Sequence, residues 1–195
     1  MTTPLSHHVL ANVLIKDIHL TFTGEPRLSQ NIPIAYANGD AWSVNKFIET
    51  LSYRHWHAIV YEDLYESGFD EFSSYLTDDA LVYYLPAFMV NVLKLTDPSS
   101  SRLREVGFKF MLPTSAGSED VWDYFGDGFL DRPLSSLAKK LLTIINFVHK
   151  TLSSDQRECV AQYIELVESY GVKNPDTEFL RLLSKYSNFW RAATI

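Results

Sequence analysis

Apolar residues recur along most of this chain at intervals of three and four, the spacing that gathers them on one side of a helix. One stretch is apolar almost all round. Between Ala80 and Leu93 only Asn91 and the phenols of Tyr83 and Tyr84 interrupt the run, which marks a helix buried on every side. Thr77 stands where a cap belongs, and Asp78 and Asp79 fall in the first turn, where the helix macrodipole favours carboxylates. Pro86 removes the backbone bond to Val82 and crowds that carbonyl. Because the apolar pattern resumes at once, the sequence predicts a kink between Val82 and Pro86, not a stop. The run is shorter than the roughly 20 apolar residues of a membrane span and is bracketed by Asp78, Asp79 and Lys94.

The remaining segments read as walls around it. Leu10, Val13, Leu14 and Ile18 predict a helix from Ser6 to about Thr21 with one apolar face, ended by the turn residues from Thr23 to Pro26. Residues 27–39 sustain no period. Asp40 then caps a second helix striped by Trp42, Val44, Phe47, Ile48 and Leu51. Trp56, Ile59, Val60 and Leu64 predict a third, running to about Glu66. Residues 97–101 are loop by composition, 106–113 alternate enough for a short extended segment, and Ser118 opens a short helix closed by Gly126 and Gly128. Leu134, Leu137, Leu141, Ile144, Ile145 and Val148 stripe the next long helix. Ser153 and Gln156 are spaced as a capping box for a helix bearing Val160, Tyr163, Ile164 and Val167, ending near Gly171. Asn174 and Pro175 start a last helix that carries Phe179, Leu182, Leu183, Tyr186 and Trp190. No repeat or long linker divides the chain. The expected fold is all-α: one domain over residues 1–195, an irregular helical body of seven or eight helices around the buried central one.

Composition narrows the possible roles. With 46% hydrophobic residues the chain has ample core and is not disordered. Its formal charge of −7 argues against nucleic-acid binding and membrane-surface binding, both of which need clustered cations. A single cysteine, Cys159, leaves no internal disulfide, and the N-terminus lacks the basic, apolar and small-residue order of a signal peptide. A cytoplasmic location is expected.

Catalytic signatures are weak. His55 and His57 would project about 200° apart on a helix and could not share an ion. His7 with His8, His19 and His149 form no metal-ligand spacing either. Cys159 sits mid-helix beside Val160 without an identifiable base and reads as a small buried residue. There is no nucleophile elbow and no phosphate-cradling loop, so no catalytic residue, metal or cofactor is expected.

Charge distribution is more informative. Residues 61–80 hold seven acids without a Lys or Arg, and residues 118–131 hold five, so 34 residues carry half of the 24 acids. Aromatics are interleaved there, among them Tyr61, Tyr65, Phe69, Trp122, Tyr124 and Phe125. If the two segments adjoin, they form a negative, aromatic-rich face of the kind that steers a basic protein into contact. The candidate partner-binding residues are Glu62, Asp63, Glu66, Asp70 and Glu71 in the first segment, and Glu119, Asp120, Asp123, Asp127, Trp122 and Tyr124 in the second.

Several motifs carry a family resemblance. They are His55-Trp56, the run from Leu76 to Leu81, Tyr83-Tyr84-Leu85-Pro86-Ala87-Phe88, the run from Leu152 to Arg157, and the closing Tyr186 to Trp190. Over about residues 40–190 the chain resembles an uncharacterised, mainly bacterial family with a Leu-Thr-x-x-x-Phe-x-Tyr-Tyr-Leu-Pro-Ala-Phe core. It departs in having Leu81 where the family often has Phe, and Asp155 in place of Glu. The resemblance implies no activity and no catalytic residues. It does imply the company of small bacterial proteins found with toxins, and immunity proteins against nucleases are commonly acidic because their targets grip phosphate. The expected function is a non-enzymatic immunity or antitoxin protein that occludes a basic partner, a toxin or nuclease. The alternatives are an enzyme with an acidic pocket near Trp56, Asp78, Asp79 and Tyr84 acting on a cationic substrate, and a self-assembling structural subunit.

Overall fold

The computed structural model describes residues 6–24, 28–36, 41–66, 76–95, 136–170, 184 and 187–193. These are helical with no strand, which makes the fold all-α; the one β contact among them is an isolated bridge between Ala35 and Leu76. The helices are α1 (His7–Thr21), α2 (Ala41–Leu51), a 3-10 turn (Trp56–Ala58), α3 (Tyr61–Glu66), α4 (Asp78–Leu93), α5 (Ser136–Thr151) and α6 (Ser154–Ser169). The chain is helical again over residues 187–191.

α4 is the predicted centre. Ala80, Leu81 and every residue from Tyr83 to Leu93 are buried. α1, α3, α5 and the 3-10 turn all pack on it. Pro86 lies inside the helix without ending it. Burying an amide is costly unless its hydrogen bonds are replaced, and Asn91 shows the replacement. Its Nδ2 donates to Ile59 O at 3.0 Å and to Ala87 O at 2.8 Å, which ties α4 to the chain that follows the 3-10 turn.

The start of α4 is held by the loop before α2. Thr77 Oγ1 accepts from the Ala80 N–H at 3.3 Å, the expected cap, and donates to Pro33 O at 2.7 Å. The Thr77 N–H donates to Ile34 O at 3.1 Å, and Tyr36 OH donates to Asp78 Oδ1 at the same distance. One cap residue thus anchors a segment that has no regular structure of its own.

α6 begins with the predicted capping box. The Gln156 N–H donates to Ser153 Oγ at 3.2 Å, and the Ser153 N–H donates to Gln156 Oε1 at 2.9 Å. The buried Arg157 donates to Leu152 O at 2.8 Å, just past the end of α5. A guanidinium there offsets the negative end of the helix dipole and accounts for an otherwise costly buried cation. The C-terminal segment closes against the same region, with Trp190 buried and His149 Nε2 3.0 Å from Phe189 O.

Three expectations need correction. The third helix is two pieces: Ile59 takes an extended conformation (φ −85, ψ 124), and the Val60 N–H is capped at 3.0 Å by Asp63 Oδ2, so α3 starts afresh at Tyr61. A side-chain cap replacing a backbone bond is what divides the run. In α2, Leu51 is buried as expected, but Trp42 and Ile48 are exposed, with Lys46 Nζ 5.4 Å above the Trp42 ring. In α1, the buried residues are Ala11, Leu14 and Ile18, while Leu10 and Val13, read as part of the core stripe, face outward. The predicted segments at residues 106–113 and 118–125, and most of the last helix, lie outside the described residues.

Candidate functional site

Of the eleven residues expected to bind a partner, the structure describes three, all on α3. Glu62 is exposed. Asp63 is engaged internally: besides capping Val60 it pairs with Arg54, Nη1 to Oδ1 at 3.0 Å. Arg54 also donates to the carbonyls of Thr50 and Ala58, so this pair braces the short link from α2 to α3. Glu66 ends α3. Asp70, Glu71, Glu119, Asp120, Trp122, Asp123, Tyr124 and Asp127 lie outside the described residues.

The alternative pocket does not assemble on one surface. Trp56 and Tyr84 are buried, and Tyr84 OH donates to Arg54 O at 3.4 Å, whereas Asp79 is exposed and Asp78 holds Tyr36. Burial raises the pKa of Tyr84 well above the ordinary phenol value, and burial followed by the neighbouring Asp78 raises that of Tyr36. Both phenols therefore stay protonated and act as hydrogen-bond donors. Cys159 is buried, its Sγ 3.6 Å from Thr21 Oγ1, and burial raises its pKa. That is the environment of an inert thiol.

The histidines come closer together than a helical reading of residues 55–57 allows. His55 is the extended residue before the 3-10 turn, so the His55 and His57 rings approach to 4.3 Å between centroids instead of diverging. His19 of α1 lies 5.2 Å from His57 and stacks on Trp56 at 5.1 Å. Burial first, then Lys94, lowers the pKa of His19; burial, then His55 and His19, lowers that of His57. Among the described residues no group of three or more His, Cys, Asp or Glu side chains could hold a metal ion.

The described cavity lies elsewhere, between α1 and α6. His7 Nε2 is 3.1 Å from Leu166 O and its ring is 4.2 Å from that of Tyr170, while at the other end Thr21 meets Cys159. The two helices are therefore antiparallel. Between them runs a groove of about 320 Å³ whose apolar walls are Leu10, Val13, Leu14 and Leu166. Leu10 and Val13 keep 41% and 50% of their surface exposed.

Carboxylates edge this groove. Asp17 lies on the α1 side and Glu165 on the α6 side. Glu165 shares Arg191 with Glu158 in two forked pairs: Nη1 to Glu165 Oε1 at 2.6 Å and Nη2 to Oε2 at 3.0 Å, then Nε to Glu158 Oε2 at 2.8 Å and Nη2 to Oε1 at 3.0 Å. The Arg191 hydrogen bonds hold both carboxyls below the usual range and raise the guanidinium pKa in return. One guanidinium against two carboxylates leaves a negative charge, and Asp17 adds another. The groove is apolar within and acidic at its edge.

The sequence reading missed this groove. Val9, Leu10, Val13, Leu14, Ile15, Ile18 and Leu20 occupy more than half the circumference of α1, more than one core-facing side can bury. That surplus was the available signal. Searches against known families, characterised proteins and solved structures find no match for this chain. Among the described residues no helix is long and apolar enough to cross a membrane.

Proposed function

We propose that this chain is a non-enzymatic, cytoplasmic binding protein of the immunity or antitoxin kind, which occludes a basic partner protein such as a toxin or nuclease. The observation that carries this reading is the groove between α1 and α6, which pairs solvent-facing aliphatic side chains with a rim of carboxylates. Apolar contact supplies affinity and the surrounding charge selects the partner. Two points add support: the overall charge of −7, and the crowding of twelve acids into 34 residues free of Lys and Arg. Within this reading Glu62, Glu66, Asp70, Glu71, Glu119, Asp120, Asp123 and Asp127 steer the encounter, with Trp122 and Tyr124 as anchors.

Purification from the native host at low salt, with identification of the co-eluting protein, tests the proposal. A basic protein whose affinity falls at least tenfold between about 50 and 500 mM NaCl supports it, because steering by exposed charge is screened over about 10 Å at 0.1 M salt. Neutralising Asp70, Glu71, Asp120 and Asp123 together weakens the same complex. A partner whose affinity ignores both salt and these substitutions overturns the electrostatic reading.

A further inference from the structure

α1 keeps one apolar side for the core and shows another to solvent. At 100° per residue, Ala11, Leu14 and Ile18 project one way while Val9, Val13 and Leu20 project about opposite. These last three are 42%, 50% and 77% exposed. Leu10 lies between the two sets, at the mouth of the groove. Exposed Lys16 stands between Val13 and Leu20 on that side, so the apolar surface open to a partner centres on the groove, where Leu10 and Val13 meet Leu166.

We propose that the groove beside this outer face of α1, with Leu10 and Val13 at its mouth, docks an amphipathic helix of the basic partner. Apolar side chains one turn apart enter between Leu10 and Leu166, and a Lys or Arg reaches Asp17 or Glu165. The inference rests on the preceding reading that the chain binds a basic protein, and it names the element that is recognised. From Leu10 to Asp17 the groove follows α1 for about 10 Å, the length of two helical turns. That accommodates two anchors of the i and i+4 type, the usual way an apolar groove reads a helix. The charge selects a cationic helix, since Asp17 has no ion pair among the described residues and Arg191 offsets only one of Glu158 and Glu165. Lys16, the neighbouring exposed cation on α1, projects about 100° away from Asp17 but only about 20–60° from Val9, Val13 and Leu20. The cationic helix is therefore placed at the groove, on the Leu10 and Asp17 side of α1, and not over Lys16. A second copy of this chain fits less well, because a two-fold contact sets one acidic rim against another.

The test uses the full chain and a fluorescein-labelled 18-residue peptide with leucines in an i, i+4 stripe and lysines elsewhere. Two controls accompany it: the same composition reordered so that no stripe forms, and the striped peptide with Glu in place of Lys. The striped lysine peptide binds at least tenfold more tightly than either control, and amide shift changes in the labelled protein map to α1 and α6. Val13→Lys and Asp17→Lys each weaken it at least tenfold. Val13 is half exposed, so its variant keeps the wild-type melting curve. Equal binding of striped and reordered lysine peptides, or shift changes confined to residues 61–80 and 118–131, overturns the groove and leaves the basic-partner reading resting on its charge evidence alone. Failure of both lysine peptides to bind likewise overturns the groove, whereas the basic-partner reading falls only if the low-salt purification returns no basic protein. A wild-type dimer in sedimentation velocity that Val13→Lys renders monomeric overturns the foreign helix in favour of a second copy.

Discussion

α1 and α4 are helices of nearly equal length, 15 and 16 residues, and both are rich in aliphatic side chains, yet the fold treats them differently. α4 leaves almost nothing apolar in water: from Tyr83 onward every residue is buried. α1 buries Ala11, Leu14 and Ile18 and leaves Val9, Leu10, Val13 and Leu20 outside. An apolar residue in α4 is explained by the stability that its burial supplies. Those on the outer side of α1 contribute little to folding, and contact with another molecule is the role proposed above for the ones at the groove.

The largest expected effect tests the α4 half of this contrast. Phe88 is 2% exposed at the middle of the central helix. Phe88→Ala removes its contacts and leaves a cavity, costing about 3–5 kcal/mol in chemical denaturation. Leu20→Ala on α1, at 77% exposure, changes stability by less than about 0.5 kcal/mol. Comparable losses from the two variants would erase the distinction.

The contrast also explains which parts of the molecule were readable from residues alone. α4 was legible because its signals agree: an apolar run, Thr77 as cap, and two acids in the first turn. The start of α6 was legible because Ser153 and Gln156 are three apart, and a capping box depends only on local spacing. α1 was found as a helix, but its exposed side was not. Periodicity reports that Leu10 and Val13 lie near a stripe; which of two apolar sides meets the core depends on where α4 and α6 pack. The break at Ile59 was missed for a related reason. Trp56, Ile59 and Leu64 are all buried, so the stripe persists although the Asp63 cap interrupts the backbone. The acidic segments illustrate another limit, since composition states their charge but not their spatial relation.

A second test concerns the places where helices meet. His19 joins α1 to the 3-10 turn beside Lys94 at the end of α4, and His149 joins α5 to the C-terminal segment. Burial is the main cause that lowers the pKa of His19, His57 and His149 below 6.5. The folded state therefore prefers the neutral imidazoles, and the unfolded chain binds more protons below that pH. The stability linked to these groups is complete above pH 6.5 and is lost as pH falls through the lowered folded values. Thermal midpoints should stay level from pH 8 to 7 and decline from about 6.5 to 5. The Glu158 and Glu165 pairs with Arg191 have the same sign at lower pH: their stabilisation is present above the ordinary Glu value of 4.5 and is lost as the pH drops through their depressed ones. His149→Gln keeps an N–H for Phe189 O but cannot titrate, so it flattens part of the decline near pH 6. An unchanged slope in that variant would place the acid sensitivity on the α1 side, at His19 and His57.

The smallest expected effect on folding discriminates most sharply between the two helices. Val13 and Leu10 line the groove yet remain half exposed, so replacing both with Ser removes little that the core uses. Urea denaturation should place the double variant within about 0.5 kcal/mol of wild type per site, with an unchanged slope because the surface exposed on unfolding hardly alters. Solubility should rise, since the change shrinks an exposed apolar surface. A loss of more than about 2 kcal/mol would mean that Leu10 and Val13 belong to the core after all. α1 would then be a second α4, and its outer side would need no partner to explain it. Unchanged stability, combined with loss of binding by the same variant, would assign these side chains to recognition rather than folding.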